Sequence, residues 1–239
     1  MEYVVYTNKG NVRPENEDSY LIKEAPHPLF AVADGMGGHQ AGEVASQLAV
    51  KILDSAEFDY QDILESILST IEEANREIFN KGQADSSNEG MGTTLSMGIL
   101  YKNKLYIGHV GDSRIYLFRD NDLQQLTTDH SLVNELIENR QITSQEAFNH
   151  PQKNIITQAL GTNDQLKIEV KEVGLFDGDI LLFSTDGLHD MLRSDEINNL
   201  FAQNADLDKI SSLLGNEALK KGGNDNITFI IIKINSLQD

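Results

Sequence analysis

The order of strand-like and helix-like segments constrains the fold of this chain most strongly. Three short segments rich in β-branched and aromatic residues come first, two amphipathic helical segments follow, and strand patterns then return together between residues 93 and 118. In a parallel βαβ architecture, strands and helices would instead alternate one by one. The grouping therefore predicts an α+β fold, in which antiparallel sheets are covered by helices.

The individual segments can be assigned from their periodicity. Apolar residues recur at helical spacing over 41–53 and 63–78, further helices are expected near 194–202 and 206–221, and the polar stretch 131–160 favours helix. Asp177 and Asp179, in "LFDGD", are assigned to a hairpin turn between two of the strands. The chain has no internal repeat or linker, which predicts one domain over residues 1–239. The predicted strands are EYVVYT, SYLIKE, LFAVAD, TTLSMGILY, KLYIGHV, RIYLF, KIEVKEV, DILLFST and NITFIIIKI.

Charge and composition exclude several classes of function. The chain has 19 basic and 38 acidic residues, and a net charge of −19 argues against nucleic acid or an anionic membrane as a partner. It has no cysteine, which excludes disulfides, thiolate catalysis and cysteine-ligated metal sites. No signal peptide is visible, and no apolar run approaches the ~20 residues of a membrane span. We therefore expect a soluble, cytoplasmic protein. We also expect it to be a monomer.

Five aspartates border predicted strands, which is more than turn formation requires. A single aspartate beside a glycine is usually a turn former, but five at the ends of adjacent strands would converge at one mouth of a sheet. Carboxylates crowded in this way need raised pKa values or a cation between them. Mg²⁺ or Mn²⁺ suits oxygen ligands, so the pattern predicts a hydrolase with two metal ions. The five residues are Asp18, Asp34, Asp112, Asp186 and Asp225.

Within this hypothesis the segment "LFAVADGMGG" supplies the central ligand. Asp34 would bridge the two ions, and Gly35, which has no side chain, would let its backbone carbonyl reach one of them. Arg13 is a candidate for gripping two oxygens of a phosphate ester, because a local cation is conspicuous in so acidic a chain. Spacing alone also allows Arg13 to form an ordinary surface salt bridge.

Motifs along nearly the whole chain resemble the PPM family of metal-dependent serine/threonine protein phosphatases, in its bacterial branch. The resemblance runs in order from about residue 7 to residue 232, and the combination of "DGMGG", "GDSR" and "STDG" is specific. It implies two antiparallel sheets with helix pairs on both outer faces, a four-layer α-β-β-α sandwich. It also implies dependence on Mn²⁺ or Mg²⁺, phosphorylated proteins as substrates, and an opposing serine/threonine kinase. The matching motifs are RPENEDS, VADGMGGHQAGEVAS, GTTLSMGIL, HVGDSRIYLF, LTTDHSLV, NIITQALG, LLFSTDGLHD and GNDNITFIII.

The resemblance assigns a role to each candidate ligand. Asp34 and Gly35 are similar to the bridging aspartate and the carbonyl ligand of the family. Asp186 and Asp225 are similar to ligands of the first metal, and Asp18 to the residue that supports the second through water. Two further roles are implied, a weaker third ion at Asp112, shared with Asp186, and phosphate binding at Arg13.

The proton donor for the leaving group is less defined. Eukaryotic relatives have a histidine where this chain has Met36, and the nearest histidine here is His39, as in bacterial relatives. His39 is the candidate general acid, although a residue at a helix start can also be a cap or a surface side chain. His150 lies in the stretch that resembles the mobile flap of the family, and His130 is expected to be structural.

Three functions are compatible with these observations. The first is an active protein serine/threonine phosphatase. The second is a metal-dependent phosphatase of small phosphoesters on the same fold, since a fold does not determine substrate size. The third is an inactive interaction module, against which the complete set of aspartates and Arg13 argues.

Overall fold

The structure is a computed structural model, and it describes residues 1–37 and 41–235. Its strands are β1 (Glu2–Asn8), β2 (Ser19–Lys23), β3 (Leu29–Ala33), β4 (Gly35–Met36), β5 (Gly92–Thr93), β6 (Leu95–Tyr101), β7 (Lys104–Val110), β8 (Arg114–Arg119), β9 (Asp122–Gln125), β10 (Glu169–Gly174), β11 (Ile180–Ser184) and β12 (Ile227–Lys233). Its α-helices are α1 (Ala41–Ser55), α2 (Ile63–Ala84), α3 (Leu132–Glu138), α4 (Ser144–Phe148), α5 (Asp186–His189), α6 (Ser194–Ala202) and α7 (Leu207–Lys220). In the parts of the chain that the structure describes, none of the helices combines the length and apolar character that a membrane span requires.

Two five-stranded antiparallel sheets form the centre of the molecule. The first sheet has the order β1-β12-β11-β8-β9, and the second has the order β10-β7-β6-β3-β2. Every strand pair in them is antiparallel, as the grouping of strand patterns predicted. A separate pair of two-residue strands, β4 and β5, follows the end of β3.

Three layers of apolar side chains hold these sheets and helices together. Residues such as Phe30, Ile107 and Phe183 fill the space between the sheets. The outer face of the second sheet packs against the apolar stripes of α1 and α2, and that of the first sheet packs against α6 and α7. Each helix pair buries one face, because its apolar residues recur at helical spacing. The expected four-layer α-β-β-α sandwich is confirmed.

The predicted hairpin at "LFDGD" is wrong. Strand β10 pairs with β7 in the second sheet, whereas β11 pairs with β8 and β12 in the first, so the segment crosses from one sheet to the other. Asp179 is buried and forms an ion pair with Arg119 at 2.6 Å. Its Oδ2 atom also accepts a hydrogen bond from the backbone N–H of Phe176. Asp179 therefore stabilises a crossover between sheets.

Two further regions differ from the sequence prediction. The hairpin from β8 to β9 turns at Asp120 and Asn121, both at positive φ, and its second strand was not predicted. The stretch 131–160 contains only the short helices α3 and α4, with irregular backbone between and after them. Its polar composition provides too little apolar surface for a longer amphipathic helix to bury.

Candidate metal centre

In each sheet, strand register places the candidate ligands at the same end of neighbouring strands. In the second sheet Ser19 pairs with Ala33, so Asp18, just before β2, is beside Asp34, just after β3. In the first sheet Ser184 pairs with Phe229, next to the start of β12. Asp186 and Asp225 therefore flank neighbouring strand ends, and Asp112 follows the end of β7.

The backbone of Asp34 is fixed by the threonines of the "GTT" segment. Its N–H donates to Oγ1 of Thr94 at 3.0 Å. Its carbonyl accepts from Oγ1 of Thr93 at 2.8 Å and from the N–H of Thr94 at 2.9 Å. The backbone N–H and carbonyl of Asp34 are thus both hydrogen-bonded. The carboxylate is the group of Asp34 that faces the other acids.

Gly35 and Gly42 allow a close approach between the end of β3 and the start of α1. A Cβ atom at Gly35 would clash with the carbonyl of Gly42 and would lie 2.6 Å from the carbonyl of Glu17. A Cβ atom at Gly42 would clash with Oε2 of Glu17 and would lie 2.8 Å from the carbonyl oxygen of Gly35. The carboxylate of Glu17 therefore lies beside the Gly35 carbonyl. The sequence analysis did not predict that Glu17 borders the site. Its position next to Asp18 in "NED" was the available signal.

Three of the aspartates contain a buried oxygen without a hydrogen-bond partner. Among the described residues, Oδ1 of Asp18, of Asp112 and of Asp186 is buried and accepts no hydrogen bond. The second oxygen of Asp18 accepts from Oγ1 of Thr185 at 2.9 Å. Buried polar atoms are nearly always paired, so these three oxygens indicate a missing cationic or hydrogen-bonding partner.

The electrostatics of the cluster lead to the same conclusion. Burial, together with the charges of Asp186, Asp18 and other neighbouring carboxylates, raises the pKa of Asp34 well above its usual range. Burial and the charge of Asp112 have the same effect on the pKa of Asp186. Burial raises the pKa of Asp18 and the pKa of Asp112 to about 7. Without a cation the cluster resists full ionisation at neutral pH.

The donor set fits divalent ions that keep part of their water shell. Among the residues described, no three histidine, aspartate or glutamate side chains are grouped so that they could hold an ion on their own. Mg²⁺ in proteins usually keeps several waters and takes one or two carboxylates. The available donors are separate carboxylates, the carbonyl of Gly35 and water, and they do not form a compact group of side chains. Such a donor set suits Mg²⁺ or Mn²⁺.

Arg13 lies at the rim of the cluster. Its Nη2 atom is 2.7 Å from Oδ2 of Asp225, and its side chain is 55% exposed. The hydrogen bond to Asp225 and the nearby charges of Asp186 and Asp34 raise the pKa of the guanidinium. Both sequence interpretations therefore meet in one place, since Arg13 forms an ion pair and also borders the aspartates.

A cavity of about 710 Å³ extends from Asp112 beneath α3 and α4. On its walls, Arg114 binds Asp129 through Nη2 at 2.6 Å. The ammonium of Lys153 lies 2.8 Å from Oδ2 of Asp190, at the end of α5. This ion pair links the segment after α4 to the helix that begins at Asp186.

Of the three histidines considered in the sequence analysis, two lie among the described residues. His39 lies outside the described residues. His130 is buried, its ring atom Nδ1 accepts from the N–H of Gly111 at 3.1 Å, and its backbone N–H donates to the Gly111 carbonyl at 2.7 Å. These bonds fix the turn before Asp112 and support the structural role expected for His130. His150, just after α4, accepts a hydrogen bond from the N–H of Gln152.

Comparison with known proteins identifies the same family that the sequence motifs resemble. A sequence model described as protein phosphatase 2C matches residues 13–221. The chain is 39% identical over 242 residues to the protein phosphatase PhpP of Streptococcus pneumoniae, and the match covers 98% of each chain.

Solved structures extend the similarity to the fold. The serine/threonine phosphatase PstP/Ppp of Mycobacterium tuberculosis superposes with a TM-score of 0.91 at 34% identity, covering 98% of this chain and 99% of that one. The catalytic domain of a PstP phosphatase, solved with two manganese ions, has a TM-score of 0.88 at 33% identity and covers 98% of both chains.

Proposed function

Because the chain belongs to the protein phosphatase 2C family, we propose that it hydrolyses phosphoserine and phosphothreonine in proteins. The observation that carries the proposal is the cluster of strand-end aspartates, in which three buried oxygens are unpartnered beside Arg13. Carboxylates that resist ionisation alone are suited to divalent cations, and a guanidinium at their rim is suited to a phosphate ester. Together they form a site for a phosphorylated substrate.

Two core ions, Mn²⁺ or Mg²⁺, would be held by Asp34, the carbonyl of Gly35, Asp186 and Asp225, with Asp18 as support. When bound, such ions neutralise the carboxylates and lower the pKa of the water that attacks phosphorus. A weaker third ion would lie at Asp112. The two manganese ions of the PstP structure support the core pair.

The residues of the chain itself position the substrate and supply a proton. Arg13 would bind two phosphoryl oxygens and hold the ester in line for attack. The threonines that fix the backbone of Asp34 would keep its carboxylate in one position. His39 would donate a proton to the departing serine or threonine oxygen, which is a poor leaving group when unprotonated.

The proposed activity implies macromolecular partners for the enzyme. Phosphorylated proteins are the substrates, and a serine/threonine kinase that phosphorylates the same proteins is the functional counterpart. We further propose a monomeric state and a cytoplasmic location. The names of the phosphatases PhpP and PstP support the substrate class.

A comparison of substrates tests this function. The protein, supplied with Mn²⁺, is assayed with a phosphothreonine peptide and with a panel of small phosphoesters that includes p-nitrophenyl phosphate. We expect kcat/KM for the peptide to exceed that for alkyl phosphoesters of similar leaving-group basicity. Turnover of the small esters without turnover of the peptide would instead support a small-molecule phosphatase.

A further inference from the structure

We propose that Asn226 is a positioning residue, which holds the segment that carries Arg13 against the strand that carries Asp225. The inference rests on the proposed function, because it concerns the phosphate site. Asn226 follows Asp225 in the motif "GNDN", and none of the roles described above involves its side chain.

The position of Arg13 depends on an irregular segment. Residues 9–18 connect β1 to β2 without helix or strand, and Arg13 lies in the middle of them. Its side chain is more than half exposed, so packing does little to fix it. Apart from the ion pair with Asp225, the place of the guanidinium is therefore set by the contacts that hold the backbone of this segment.

Asn226 holds that backbone on both sides of Arg13. Its Nδ2 atom donates to the carbonyl of Lys9 at 3.0 Å and to that of Glu15 at 2.9 Å. Its Oδ1 atom accepts from the N–H of Glu17 at 2.8 Å. A carboxamide has two N–H donors and one acceptor oxygen, so each of these groups is engaged with the segment.

Asn226 is itself held in the site. The residue is only 5% exposed, and its backbone N–H donates to Oδ1 of Asp225 at 2.8 Å. A Cβ atom at Gly187 would clash with the Asn226 carbonyl, so the start of α5 packs directly on it. Asn226 thus contacts the Arg13 segment, Asp225 and the residue after Asp186, and it is suited to set the spacing between the phosphate anchor and the metal ligands.

Loss of the Asn226 side chain should weaken phosphate binding more than metal binding. Asp34, Asp186 and Asp225 lie outside the segment 9–18 and are held by strand ends and by their own neighbours, whereas that segment would lose three hydrogen bonds and leave two carbonyls without their donor. A displacement of Arg13 by about 1 Å is enough to weaken an oriented contact severely.

The test measures phosphate and metal binding separately. Calorimetry gives the Kd of Mn²⁺, and then the Kd of inorganic phosphate on the Mn²⁺-loaded protein, for the wild type and for Asn226→Ala. We expect phosphate to bind about tenfold more weakly in the variant, with Mn²⁺ affinity within about threefold of wild type, and KM for a phosphothreonine peptide to rise more than kcat falls. If Asn226→Ala does not fold, Asn226→Ser, which keeps a small hydrogen-bonding side chain, replaces it.

Asn75 provides a matched control. It is 4% exposed and holds another loop in the same manner, donating to the carbonyls of Asn163 and Asp164 and accepting from the N–H of Gly161. Asn75→Ala should destabilise the fold to a similar degree without weakening phosphate binding selectively. An equal loss of phosphate affinity in both variants would overturn the inference.

A double variant shows whether Asn226 acts through Arg13. If it does, the pair Arg13→Ala and Asn226→Ala should bind phosphate no more weakly than Arg13→Ala alone. Additive losses would overturn the inference while leaving the proposed function intact. Failure of the proposed function would appear separately, as a wild type that binds Mn²⁺ and phosphate but does not hydrolyse the phosphothreonine peptide.

Discussion

The Nη2 atom of Arg13 donates a hydrogen bond to Oδ2 of Asp225 at 2.7 Å, which joins the proposed phosphate anchor directly to a proposed metal ligand. The two residues come from opposite ends of the chain and meet because β1 pairs with β12 in the first sheet. A phosphoryl group bound by Arg13 would therefore lie against the aspartate cluster. This contact underlies the first prediction.

Replacing Arg13 by alanine should lower kcat/KM for a phosphothreonine peptide by about 10²–10³, because a donor that stabilises the developing charge is lost. Part of the loss should appear as a raised KM, since the ground-state phosphate is also bound. Arg76, exposed on α2, is a matched control whose replacement by alanine should leave the kinetics unchanged. Activity of Arg13→Ala within about twofold of wild type would assign Arg13 to a surface ion pair alone.

The variants Asp34→Asn and Asp186→Asn should lose turnover, and yet their metal-free forms should be more stable than metal-free wild type. Both aspartates have a raised pKa from burial and from neighbouring carboxylates, so their ionised forms destabilise the folded state near neutral pH. Thermal unfolding in EDTA should show a higher Tm, by about 2–4 °C for each 1 kcal/mol of repulsion removed. Asp54→Asn, at an exposed position on α1, should not shift the Tm. A lower Tm for both site variants would mean that these carboxylates stabilise the fold without cations.

The variant His39→Ala should slow hydrolysis of phosphothreonine peptides much more than hydrolysis of p-nitrophenyl phosphate. The alkoxide of threonine needs a proton to leave, whereas p-nitrophenolate leaves readily without one. Steady-state kinetics with both substrates make the comparison. Equal slowing would indicate a structural or metal-supporting role for His39, and no slowing would assign the proton to a water near Asp112.

His109 should make the folded protein less stable in mild acid. Burial, together with the nearby ring of His130, lowers the pKa of His109 to about 4. Its pKa in the unfolded chain is about 6.5, so below that pH the unfolded state binds a proton that the folded state does not. Stability should thus fall as the pH drops from about 6.5 towards 4, at about 1.4 kcal/mol per unit.

Urea unfolding of wild type and His109→Gln measures this contribution. Between about pH 7 and pH 5 the wild type should lose about 2 kcal/mol more stability than the variant. The comparison isolates His109, because the carboxylates titrate in both proteins. Parallel stability curves would mean that the His109 imidazole titrates alike in the folded and unfolded states.

The sequence predicted what depends on local pattern and chemistry. Alternation and helical spacing identified every strand of the two large sheets except β9, and both outer helix pairs. Aspartates at strand ends identified the acidic cluster before any register was known. The pairing of strands that are distant in the sequence could not be predicted from local patterns. The Asp-Gly signal at Asp177 indicates a turn, but it does not determine whether the next strand joins the same sheet, and here the chain crosses to the other one.

The supporting residues of the site were also beyond a local pattern. Asn226 contacts residues more than two hundred positions away, and Glu17 reaches the site through the space left by Gly42. Such contacts depend on how segments meet in the folded chain. Asparagine and glutamate are common in loops and on surfaces, so their residue type alone predicts no particular partner.

The central claim is that the strand-end aspartates form a divalent metal centre for hydrolysis of phosphoproteins. The most direct measurement is hydrolysis of a phosphothreonine peptide by protein stripped with excess EDTA and then titrated with Mn²⁺, in parallel with Asp34→Asn. The account predicts no turnover in EDTA, recovery in the wild type with Mn²⁺ and less with Mg²⁺, and no recovery in the variant. Full activity of the wild type in excess EDTA would contradict it.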